Sequence, residues 1–126
     1  MSCKFTNNKA QKGGAVYVES SSRTEIIQSI FDRNIATTIG SAYYISNSDY
    51  HPMSLIKMST FTNNTVSSFG TIFLSEATLE LDEISLENNL TSGQTAGIVL
   101  VMSQIIVANS EISRQDGLNG GFIHCT

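Results

Sequence analysis

Glu80, Asp82, Glu83 and Glu87 place four of the chain's 11 carboxylates within eight residues, and clustered carboxylates are what acid–base catalysis and calcium coordination use. A site of either kind needs convergent partners, yet no Lys or Arg lies close to this group along the chain. Glu80 and Asp82 alternate with Leu79 and Leu81, the pattern of a strand whose outer side faces water. The four aspartates, Asp32, Asp49, Asp82 and Asp116, share no common offset. His51 and His124 have no Ser or Cys partner at a useful spacing, so neither is expected to act as a base or to hold a metal. The chemistry-bearing residues therefore point to a non-enzyme with no metal and no cofactor.

The elements that carry these residues repeat. Phe5, Asn8 and Gly14 are followed by Phe31, Asn34 and Gly40, then Phe61, Asn64 and Gly70, then Leu86, Asn89 and Gly97, and last Ile112, Gln115 and Gly121. The first members are 26, 30, 25 and 26 residues apart, a periodicity that signals a solenoid. After each Gly a two-residue alternation follows, with Val16 and Val18, Ala42 and Tyr44, Ile72 and Leu74, Val99 and Val101, and Ile123 and Cys125 assigned to the inward face. A second strand is marked by Thr24 and Ile26, Ser54 and Ile56, Leu79 and Leu81, and Ile105 and Val107; a third ends on the Phe, Leu or Ile that opens each repeat. Apolar residues do not recur at helical spacing, and Val, Ile, Thr, Ser, Asn and Gly are weak helix formers. The expected fold is an all-β, right-handed parallel β-helix of about five turns, with three short strands per turn, spanning residues 1–126 as one domain.

Asn8, Asn34, Asn64 and Asn89 would lie one above another at a corner, where side-chain amides donate to and accept from one another in a ladder. Gln115 takes the last position. The pairing of Phe5-Thr6-Asn7-Asn8 with Gly13-Gly14-Ala15-Val16 resembles the F-x-x-N and G-G-A-[ILV] repeat of polymorphic outer-membrane proteins, a pectate-lyase-like right-handed β-helix family. The likeness spans essentially the whole chain, with F-x-x-N recurring at Phe31 and Phe61. It implies a surface-displayed or secreted protein of adhesive or structural type. It also implies a runner-up, since many pectate-lyase-like helices cleave acidic polysaccharides: a fragment of a carbohydrate-active enzyme.

Between the inward positions runs an outward row, read as Tyr17, Tyr43, Phe73, Leu100 and His124. An uncharged, largely aromatic row on an outer face is the strongest candidate for binding a protein or glycan partner. The formal net charge of −4 with seven basic residues argues against nucleic acid, which needs a positive stripe. The most apolar stretch, Gly97 to Val107, falls far short of the roughly 20 residues that cross a bilayer. No charged n-region, apolar h-region and small-residue cleavage site occurs at the start, so a signal peptide is expected either to have been removed or never to have been here. The long second repeat carries an insertion, Ser46 to Met53, with Asp49, Tyr50 and His51 on a protruding loop.

Cys3 and Cys125 fall in the first and last turns, too far apart to bridge each other, and are read as buried free thiols, the alternative being a bridge to a residue outside this segment. Asn63-Asn64-Thr65 and Asn89-Leu90-Thr91 are acceptor triplets for N-glycosylation, with Asn63 the better candidate because Asn89 is also a ladder residue. The chain starts and stops within a repeat without a capping helix. Three arrangements are open: a segment of a longer β-helix, copies stacked into a filament, or ends covered by another protein.

Overall fold

Alternating apolar residues and the scarcity of helix formers give strands throughout the described residues. The computed structural model describes residues 2–19, 23–47, 53–118 and 121–126. The first turn comprises β1 (Lys4–Thr6), β2 (Lys9–Lys12), β3 (Val16–Glu19) and β4 (Glu25–Ile27). The second comprises β5 (Ile30–Asp32), β6 (Ile35–Ile39), β7 (Tyr43–Ser46) and β8 (Ser54–Lys57), and the third β9 (Thr60–Thr62), β10 (Thr65–Val66), β11 (Ile72–Ser75) and β12 (Thr78–Asp82). The fourth comprises β13 (Ser85–Glu87), β14 (Leu90–Thr91), β15 (Ile98–Val101) and β16 (Gln104–Ala108); β17 (Glu111–Ser113) and β18 (Ile123–Cys125) begin a fifth. All pairings are parallel, each strand lying on its counterpart one turn away. The molecule is a parallel β-helix.

Four sheets run along the column where three were expected. The additional one, β2, β6, β10 and β14, lies just beyond the Asn corner. Its strands are as short as two residues and each buries little more than one side chain, such as Ala36, Val66 or Thr91. Too few residues alternate there to reveal a strand.

The main core is built of like over like. Phe5, Phe31, Phe61, Leu86 and Ile112 are in register, and the Phe31 ring stacks on Phe5 at 4.7 Å and on Phe61 at 4.5 Å between centroids. Val16, Tyr43, Ile72, Ile98 and Ile123 form one inward row of the third sheet, and Val18, Ile45, Leu74, Leu100 and Cys125 the other. The inward residues expected in the second and fourth turns are therefore off by one: Tyr43 and Ile45 face in where Ala42 and Tyr44 were expected, and Ile98 and Leu100 where Val99 and Val101 were. The distance from Gly to strand is not constant. Two residues separate Gly40 from Tyr43, whereas Gly97 directly precedes Ile98, and a one-residue shift exchanges the two faces.

At the corner between the first and second sheets the amides of Asn8, Asn34, Asn64 and Asn89 form a continuous ladder. Each Nδ2 donates to the Oδ1 one turn on, at 2.9, 3.0 and 2.9 Å, and each Oδ1 also accepts the backbone N–H of the preceding Asn. The Nδ2 atoms of Asn34, Asn64 and Asn89 further donate to the carbonyls of Phe5, Phe31 and Phe61, all at 3.0 Å. Gln115 keeps only half of the pattern: its Nε2 reaches the Leu86 carbonyl at 2.8 Å, but its longer side chain leaves Oε1 buried without a hydrogen-bond partner. The residue preceding each ladder position, namely Asn7, Arg33, Asn63, Asn88 and Arg114, is left-handed, with φ of 50–56°. Non-Gly residues there cost roughly 1–2 kcal/mol each, so the ladder and the stacked strands hold the corners closed.

Serines stand two residues before three of the anchors, Phe31, Phe61 and Ile112, and bond to the turn before. The Oγ atoms of Ser29, Ser59 and Ser110 accept the N–H groups of Cys3, Ser29 and Ile84 at 3.3, 3.0 and 3.1 Å. Cys3 and Cys125, expected to be buried, are both exposed and free. Cys125 does occupy the inward slot beside Leu100, but β18 and β1 are the outermost strands of their sheets, so no further strand covers either thiol.

Asn64→Ala removes the acceptor for two Asn34 donors and the donor to Phe31 and Asn89. At 1–3 kcal/mol per buried group left unpaired, the expected loss in urea unfolding is about 3 kcal/mol or more. Asn8→Ala, at an exposed position that only donates, is expected to lose less than about 1 kcal/mol. Gln115→Asn restores the missing acceptor and is expected to raise the unfolding free energy by about 1 kcal/mol.

Candidate functional site

The second sheet ends and the third begins at a bend that demands glycine in three turns. Gly13, Gly40 and Gly70 have φ of +58°, +65° and +68°, and a Cβ on any of them would fall within 2.9 Å of a backbone oxygen, that of Val16, Tyr43 or Ile72. Around this bend, Ile39 and Phe69 pack against Tyr44, Phe73, Val99 and Val101, all outside the main core. The outward sides of the two sheets thus meet in a lateral cleft with an apolar cluster of its own.

The outer row of the third sheet is Tyr17, Tyr44, Phe73, Val99 and His124. Of the residues expected there, Tyr17, Phe73 and His124 are in place; Tyr43 and Leu100 are not. Tyr43 is fully buried in the main core and Leu100 is 4% exposed, a consequence of the one-residue shift after Gly40 and Gly97. The Tyr43 hydroxyl has no hydrogen-bond partner of good geometry. Burial raises its pKa above the usual tyrosine value, while the nearby Thr24 and Ser54 hydroxyls pull it down.

The rings of the row stack face to face. Tyr17 and Tyr44 lie 4.8 Å apart and within 4° of parallel, and Tyr44 and Phe73 lie 5.6 Å apart. Lys12 Nζ sits 5.6 Å from the Tyr44 ring centre, within cation–π range. Tyr44 and Phe73 are nearly covered, whereas Tyr17 stays 46% exposed. Beyond Phe73 the rungs shrink to Val99 and His124, and beyond Phe69 to Thr95. There the cleft opens into a cavity of about 350 Å³ lined by Ile39, Phe69, Phe73, Val99, Val101, Gln94, His124 and Thr126. It offers aromatic and aliphatic contact with an imidazole, a carboxamide and a hydroxyl among its walls, and none of the lining residues is a carboxylate. Such a site can bind, orient and hydrogen-bond a group.

The acidic cluster is engaged elsewhere. Lys57 stands opposite Asp82 in the register of the fourth sheet, with Nζ 2.7 Å from Asp82 Oδ2 and 3.3 Å from Glu83 Oε1. Asn109 donates to Asp82 Oδ1 at 2.9 Å. Sequence proximity missed Lys57 because its partner is one full turn away; counting one repeat back from Asp82 would have found it. The Lys57 hydrogen bond, followed by that of Asn109, holds the Asp82 carboxyl below its ordinary pKa of 3.8, and Asp82 in turn raises Lys57 above 10.5. Glu80 is flanked in register by Leu55 and Ile106. Arg114 pairs with Glu87 at 3.0 Å. Asp32 receives Thr62 and Asn63 at 3.2 and 2.9 Å.

Asn63 is exposed on its corner. Asn89, of the second acceptor triplet, is 1% exposed within the ladder, where its amide N–H donates to the Phe61 carbonyl. Asp49, Tyr50 and His51, expected on the inserted loop, lie outside the described residues. Among the described residues, no three His, Cys, Asp or Glu side chains are grouped to hold a metal, and no helix is long and apolar enough to cross a membrane. No family model, curated protein or solved structure matches the chain.

A depressed carboxyl pKa contributes stability above its unfolded-state value, and that contribution is lost as pH falls through the folded-state value. Urea midpoints measured from about pH 7 down to about pH 3 should therefore fall more steeply for the wild type than for Asp82→Asn, whose curve lacks this term.

Proposed function

We propose that this chain is a non-enzymatic β-helix of structural or adhesive type, displayed outside the cell, which holds a protein or glycan partner against the lateral cleft of its third sheet. The observation that carries this reading is the cleft itself. An aromatic stack on an outward face leads into an apolar cavity of about 350 Å³, a size that ligand sites commonly have. Concave apolar surface outside the core of a small protein marks sites of interaction more often than surface without a role.

The resemblance to polymorphic outer-membrane protein repeats supports the setting. The Phe and Asn of its F-x-x-N motif are the residues that stack and ladder at Phe31, Asn34, Phe61 and Asn64, and Gly13 of the double Gly has a φ of +58°. The repeat motif thus coincides with what holds the turns in register. The family's surface display and adhesive use are carried over with it as part of the proposal.

The alternative, a fragment of a carbohydrate-active enzyme, would place its acid and base among Glu80, Asp82 and Glu83. Two of these already share Lys57, and Glu80 has aliphatic neighbours in register, an arrangement suited to holding strands together. Beads carrying the chain should be retained on a surface from a panel of neutral and acidic polysaccharides and extracellular matrix proteins. Val101→Glu and His124→Glu, which put charge into the cleft, should each weaken retention by about tenfold or more, and Lys4→Glu on the first sheet should not. Retention indifferent to both cleft variants would overturn the lateral reading. Depolymerisation of an acidic polysaccharide, abolished by Glu80→Gln or Asp82→Asn, would establish the enzyme instead.

A further inference from the structure

The two Asn-x-Thr triplets sit in opposite environments, and we propose that Asn63 is an acceptor for an N-linked glycan whereas folding bars Asn89 from carrying one. Asn63 lies exposed on the corner between the first and second sheets. Its Nδ2 makes one side-chain contact, 2.9 Å to Asp32 Oδ1, an exposed bond that water replaces at little cost. Arg33 and Asn88, at the equivalent corners of the neighbouring turns, are exposed as well. A sugar on Asn63 therefore leaves the column outward and displaces no core atom.

Asn89 differs in every respect. Its Oδ1 accepts both the backbone N–H and the Nδ2 of Asn64 at 2.9 Å, and its own Nδ2 donates to the Phe61 carbonyl at 3.0 Å. A glycosidic bond at that nitrogen leaves it one N–H and would force a sugar into space occupied by the column, so the buried amide could not hold its place in the ladder. A chain modified at Asn89 during synthesis cannot complete its ladder.

The donor is a polyprenyl-diphosphate-linked oligosaccharide. The Nδ2 of Asn63 bonds to C1 of the reducing-end sugar, and the C1–O bond to the diphosphate breaks. The diphosphate leaves with the electron pair, and one amide proton passes to a base of the transferring enzyme. The Thr65 hydroxyl completes the acceptor triplet. The modified corner and the lateral cleft lie on different faces, so the glycan can be tested whether or not the cleft binds a partner.

The experiment is secretion of the full chain from eukaryotic cells behind a cleavable signal, read by intact mass and by glycopeptide mapping before and after amidase treatment. The protease-resistant fraction should carry one glycan, on Asn63. Asn63→Gln should abolish it while leaving the urea midpoint near that of the unmodified chain, and Thr65→Ser should retain it. A folded fraction bare at Asn63, or one bearing a sugar on Asn89, overturns the proposal.

Discussion

The column depends on one repeated interaction, the side-chain amide of each turn bonded to the amide of the next. Asn64 shows why this residue is needed: its Oδ1 takes two donors from Asn34, and its Nδ2 serves both the Phe31 carbonyl and Asn89. The whole hydrogen-bonding capacity of a primary amide is used, in a buried position where any unused part would be costly. Asp could not supply the two donors, and Ser could not span the corner and the turn together. The aromatic stack of Phe5, Phe31 and Phe61 stands beside this ladder, so a lateral slip of one turn would break amide bonds and ring contacts at once.

The same constraint shapes the outer surface. Because turns stack in register, an aromatic residue at one outward position of the third sheet is placed directly over its counterpart, and Tyr17, Tyr44 and Phe73 become a pile of rings. Where a later turn supplies Val99 or Thr95, the pile narrows and a hollow remains. The cleft thus arises from local variation in side-chain size on a regular frame, with no separate loop needed to build its walls.

Much of this was legible in the residues alone. Phe, Asn and a two-residue alternation at a near-constant period sufficed for the β-helix, the anchor row and the fourth-sheet register, because each is a strong signal repeated several times. The third sheet was read correctly in some turns and slipped in others, since Gly marks the bend but not the number of residues spent turning it. Tyr43 and Tyr44 illustrate the difficulty: adjacent aromatic residues suit either face, so only the count through Ser41 and Ala42 decides which enters the core. The left-handed corners at Arg33 and Met58 left no glycine to announce them. The Ser29, Ser59 and Ser110 ladder did leave a trace, each serine standing two residues before an anchor, but hydroxyls are common enough for the coincidence to pass unremarked. Lys57 was hidden by distance along the chain.

The partners in the ladders lie 25 to 30 residues apart, one turn along the chain. A nascent polypeptide can therefore coil as it emerges, each new lap laid down on a finished surface that already displays the matching ladder donors and rings. Growth of this kind never requires distant regions of sequence to find one another. It also means that lengthening such a protein by duplicating a lap creates no new folding problem.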